Sequence, residues 1–229
     1  MEKIVENDYY LISEERKAIY AFLKVVFEAP LSIKTLQYWR DNFSSDFIEV
    51  LTTSNNNLYT FFDDLKTKSL KILEEEERNI YLATFNLFNE TGHILVPPWE
   101  SVYVTKEQTM FGEPVFQMRE QLVRYGLEVK NKYKEPEDHI AIELEFMHYL
   151  IDFTEKAEIQ LDKRNYFKGV YTQYWLHKEH FNKWIKPFTM DIITSKTSDF
   201  YKGVAKLLLL FLKDDFEYIK TIKEVLDDE

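Results

Sequence analysis

Residues 135–143 concentrate side chains that can do chemistry: Glu135, Glu137 and Asp138 cluster around Pro136, and His139 and Glu143 follow one helical turn apart. Proline is common at the first helical position and acids suit the positive end of a helix dipole, so the pattern predicts a helix over residues 137–161 with carboxylates crowding its first turn. The plain reading is that these acids only stabilise the helix start, with His139 satisfied by Glu143. The functional reading is a negative cluster aimed at a cationic ligand. Trp99 and Tyr103 follow the stiff Pro97-Pro98 step, where they serve either as aromatic walls of a binding site or as anchors tying a loop to the core.

Other constellations carry less. Glu90/His93 and Glu145/His148 have the Glu-x-x-His spacing of di-iron helical bundles, but Gly92 and the prolines after it break the first pair. His177 and His180 lie among Lys178, Lys183 and aromatic residues and read as ordinary surface or core histidines. The chain has no Walker loop, no Gly-x-Ser-x-Gly elbow and no kinase-type loop. It also has no cysteine, which removes disulfides, thiolate metal sites and iron-sulfur clusters. These constellations point to no metal or cofactor.

The elements that must position these residues are helices. Only 5 Gly and 6 Pro occur in 229 residues, too few to punctuate a many-stranded sheet. Apolar residues at helical spacing predict helices over residues 13–29, 33–41, 46–52, from near Leu58, across Ile80 to Phe88, and over 114–125, 165–176, 179–186, 187–195 and 199–225. The run Glu74 to Glu77 reads as a solvated helix start, residues 92–112 as mostly loop, and a second loop leads to Glu135. Residues 137–161 are apolar on a broad face, which marks a central helix. The longest strongly apolar run, Leu207 to Leu212, is far shorter than the roughly 20 residues of a transmembrane helix. Acids near the N-terminus stand where a secretory signal has a basic head. A net charge of −11 disfavours nucleic acid and anionic lipid, so a basic partner is the natural complement.

Two segments resemble the TorD/DmsD family of redox-enzyme maturation chaperones. One runs from Leu87 to Tyr103, with its proline-aromatic step and Ser101-Val102-Tyr103 ending. The other is Glu135-Pro136-Glu137-Asp138-His139, followed by Glu143-Leu144-Glu145-Phe146-Met147. Weaker similarity lies in His180 to Phe188 and in Phe200-Tyr201. Glu100 stands where many relatives have a small or neutral residue.

The resemblance implies an all-α fold, one compact multi-helix chaperone domain over residues 1–229, cytoplasmic and without catalysis. Its implied ligand is the twin-arginine signal peptide of a molybdopterin oxidoreductase of the dimethyl sulfoxide or trimethylamine N-oxide reductase type, held while the apo-enzyme receives its cofactor. The residues implied in peptide binding are Phe88, Pro98, Trp99, Ser101, Tyr103, Glu135, Asp138, His139, Glu143 and Phe146. The chain is expected as a monomer or a domain-swapped dimer, with no nucleic-acid partner. The alternative is a general acidic helical adaptor for some other basic helix.

Overall fold

The computed structural model describes residues 2–90, 92–106, 108–129 and 135–228, with side chains from residue 12 onward. The helices are α1 (Glu2–Glu28), α2 (Ile33–Asn42), α3 (Ser45–Thr52), α4 (Asn56–Thr67), α5 (Leu70–Tyr81), α6 (Glu100–Val104), α7 (Glu113–Arg124), α8 (Ile140–Ile159), α9 (Lys163–Leu176), α10 (Asn182–Thr194) and α11 (Asp199–Asp227). π-helical turns at Leu82–Asn86 and His177–Phe181 extend α5 and join α9 to α10. The described residues form no strand, only isolated bridges between Phe88 and Ile94 and between Trp99 and His139. None of their helices is long and apolar enough to cross a membrane.

Local chemistry sets many of these boundaries. Ser32, Ser44, Asn55 and Asp162 each accept a backbone N–H of the first turn that follows them, filling donors that a helix start leaves open. Helix α7 begins with Pro114 in its first turn and ends at Gly126, whose φ of +68° suits glycine. There Leu127 N–H returns to Leu122 C=O at 2.9 Å, the long bond of a Schellman ending.

Several sequence expectations need correction. Helix α1 starts at Glu2 instead of residue 13, and the acidic run lies in mid-α5, where Glu77 is buried. The stretch 92–112, expected as mostly loop, is irregular apart from the short α6, while part of the loop expected before Glu135 lies outside the described residues. Pro187 does not divide residues 182–194: α10 runs through it, losing one ladder bond, with Phe188 and Ile192 fully buried just beyond.

The chain divides into two compact units. Unit 1 comprises Met1–Lys24, Trp99–Trp184 and Phe211–Glu229, and unit 2 comprises Val25–Pro98 and Ile185–Leu210. Unit 2 buries Phe27, Phe62, Phe85, Phe188 and Tyr201 among aliphatic residues. In it Phe61 stacks on Phe200 at 4.0 Å between ring centroids, and Asn55 both caps α4 and donates to Gly203 C=O at 2.9 Å.

Unit 1 is organised by α8, which buries Ile140, Leu144, Met147 and Ile151 along one line. Helix α9 packs closely on it at Gly169, where an added Cβ would fall on the Thr154 hydroxyl. A buried polar network ties α1, α8, α9, the following π turn and α11 together. Arg16 pairs with Asp215 and donates to Gln173 at 2.8 Å, Gln173 reaches Thr154 at 2.8 Å, and Tyr20 and His177 meet Asp215 at 2.6 and 2.8 Å. Burial pushes the Asp215 carboxyl up, but Arg16 and His177 outweigh that and hold it well below the usual range.

Candidate peptide-binding site

The segment after Pro98 and the segment before α8 meet edge to edge in unit 1. Trp99 bridges to His139, Glu100 N–H donates to Asp138 C=O at 3.1 Å, and Ser101 N–H donates to the Asp138 carboxylate at 2.8 Å. Trp99 Nε1 donates to Glu135 at 3.1 Å, and its ring stands edge-on to His139 at 5.9 Å. Arg119 of α7 grips Glu137 with two hydrogen bonds of 2.7 and 2.8 Å. One acid-rich stretch thus fastens the start of α6 and the flank of α7 to the start of α8.

The expected helix start at Glu137 moves to Ile140. His139 N–H closes a turn on Pro136 C=O, and His139 itself is the cap, its Nδ1 accepting Ala141 N–H at 3.1 Å. Glu135, Glu137 and Asp138 therefore precede the helix instead of crowding its first turn. Burial holds the His139 ring down at about 4, which keeps it neutral and able to accept. Burial raises the Asp138 carboxyl against the lowering effect of its Ser101 bonds, and raises Glu135 against the bond from Trp99.

The predicted site residues fall into different environments. Asp138, His139, Glu143, Ser101, Trp99 and Phe146 are buried in unit 1, whereas Glu135 and Tyr103 are half-buried. In unit 2, Pro98 is buried and Phe88 is 73% exposed beside its bridge to Ile94. The interior members act on architecture: Asp138 and His139 fix the two segments and the helix start. They do not form a charged lip.

An acid-rimmed cleft of about 360 Å³ lies on another face of α8, between it, the end of α7 and residues 127–129. Leu122, Leu127, Val129, Ile142, Phe146 and Tyr149 line it with apolar surface, and Glu128, Glu145, His148 and Asp152 supply polar groups. Phe146 is thus shared between the predicted set and this cleft. Tyr125 backs it, with edge-on ring contacts to Phe146 at 5.6 Å and to Tyr149 at 5.9 Å. Glu145 and Glu128 are exposed and burial lowers the His148 ring's proton affinity, while Lys24 lies 3.8 Å from Glu145 and Lys156 pairs with Asp152 at 2.5 Å, so the acids at the mouth outnumber the cations beside them by one. Most of these residues belong to no motif in the sequence. Their signal is a second stripe at 142, 145, 146, 149 and 152, which merges with the core stripe into the broad apolar face noted above.

The family described as nitrate reductase delta subunit matches residues 55–190, more than half of the chain. A chaperone protein TorD from Vibrio atlanticus is 27% identical over 215 residues, covering 93% of this chain and 98% of that protein. One from Aliivibrio salmonicida is 25% identical over 219 residues, with the same coverage of each. A solved candidate redox enzyme maturation protein from Archaeoglobus fulgidus shares 17% identity with a TM-score of 0.49, over 86% of this chain and 93% of its own. On the family match, the chain belongs to the nitrate reductase delta subunit family, that of the TorD/DmsD redox-enzyme maturation chaperones, as a chaperone and not an enzyme.

Proposed function

We propose that the protein holds the twin-arginine signal segment of a molybdopterin oxidoreductase in the cytoplasm while the apo-enzyme takes up its cofactor, before export. The observation that carries this reading is the apolar cleft on α8 with the carboxylates of Glu128, Glu145 and Asp152 at its edge. A twin-arginine leader offers two guanidinium groups followed by an apolar stretch, and a guanidinium pairs with a carboxylate through a planar fork that lysine lacks. In this reading Asp138 and His139 act by holding the segments beside the cleft in place.

The magnitudes suffice. Charge-assisted hydrogen bonds contribute about 1.5–3 kcal/mol each, as does each well-buried aliphatic side chain. Ordering a disordered segment costs about 2–5 kcal/mol or more. Two arginines and a few apolar anchors thus reach roughly micromolar affinity, about −8 kcal/mol, which still permits release.

Titration with a fluorescent twin-arginine leader and its twin-lysine counterpart tests the reading. The expected result is a preference of about tenfold or more for arginine, lost in Glu145→Lys and weakened in Tyr149→Ala. Equal affinity for the two peptides points to a general acidic adaptor instead. No binding by a folded protein rejects the reading.

A further inference from the structure

We propose that Glu100, Glu143 and His180 of unit 1 form a buried site for one divalent transition-metal ion of the zinc type. The three side chains come from α6, α8 and the π turn at His177–Phe181, and one potential ligand atom from each lies within 4.8 Å of the other two. All are at most 1% exposed. His180 Nδ1 lies 2.5 Å from Glu100 Oε2 and 3.9 Å from Glu143 Oε1. Glu143 Oε1 is buried with no hydrogen-bond partner, and so is the other ring nitrogen, His180 Nε2.

A proton between Glu100 and His180 satisfies that one contact, and satisfying Glu143 Oε1 takes either a second proton shared with Glu100 or one cation among the three. One cation among the three takes one ligand atom from each side chain. Two carboxylates around an imidazole, away from water, are also a charge arrangement that a cation stabilises.

The surroundings suit an ion. Trp184 Nε1 donates to Glu143 Oε2 at 3.1 Å, orienting the carboxylate from behind, and the Trp175 ring stands edge-on to His180 at 4.5 Å. Tetrahedral zinc with bonds of about 2.0–2.2 Å places its ligand atoms about 3.4 Å apart, so the short contact must open and the longer separations close by about an ångström. A mixed imidazole and carboxylate set fits zinc, manganese or ferrous ions, and a water completes the shell. With the ligands this deeply buried, the ion enters as unit 1 folds.

The test is to unfold the full chain in guanidinium with a chelator, refold it with and without zinc, and remove excess metal by gel filtration. About one zinc per chain is expected, with a melting temperature several degrees above that of the metal-free protein. Glu100→Gln and Glu143→Gln should each retain helical circular dichroism and lose both zinc and the shift. Absence of stoichiometric zinc in the wild type, or equal retention in both folded variants, overturns the proposal. If the variants fail to fold, zinc-edge absorption on the wild type decides: a shell of one imidazole with oxygens supports the site, and two or more imidazoles overturn it.

Discussion

His139 can cap α8 only while its Nδ1 is unprotonated, and the positive end of the helix dipole opposes charge there as well. Its folded value of about 4 lies below the ordinary 6.5. The stabilisation is therefore complete above about pH 6.5 and is lost as pH falls towards 4. His139→Asn keeps a capping acceptor, so its melting temperature near neutrality should change little while this acid-side loss disappears. His139→Ala should cost about 1 kcal/mol at all pH values above that window. Glu77 in unit 2 behaves oppositely: burial, opposed by a 2.8 Å bond from Ser198, raises its carboxyl to about 7. Its neutral form stabilises the fold fully below about pH 4.5, and that contribution falls as pH rises to about 7. Glu77→Gln should flatten this decline and melt higher than wild type near pH 8, as a series of thermal melts would show.

At the level of helices, the crossing of α8 and α9 is set by Gly169. Gly169→Ala would drive a methyl group into the Thr154 hydroxyl, costing about 1–3 kcal/mol in a denaturant titration. Combining it with Thr154→Ala should cost less than the sum of the two changes, because the clash is shared. Much of the helical layout was legible in the sequence, since the spacing of apolar residues and stops such as Gly126 act locally. Boundaries failed where a tertiary contact decided them. Pro136 looks like a first helical residue, yet it turns the chain so that Asp138 can hold Ser101 and His139 can cap. The pairing of residues 99–101 with 138–139 is encoded by no local periodicity. The cleft was hidden because two stripes on α8 add into a single wide one. Glu100 and His180, 80 residues apart, meet only in three dimensions, which is why His180 read as an ordinary histidine.

For the molecule as a whole, a net charge of −11 gives a long-range field that would attract the cationic leader proposed above. Leader association should slow and weaken as salt rises through the range where the screening length falls below about 10 Å, which stopped-flow fluorescence at several ionic strengths would detect. A salt-independent rate would exclude steering by this charge. Unit 1 draws on three separate stretches of chain, and its buried Arg16 is matched to Asp215, 199 positions later. During translation the guanidinium is made early and its counter-charge late. An Arg16 without that partner cannot be desolvated cheaply, so the first helix must stay wet, or be shielded by other factors, until the ribosome has released residue 215. A chain truncated ahead of residue 215 should therefore leave Arg16 without its counter-charge and the first helix unpacked, which hydrogen exchange on such a product would show.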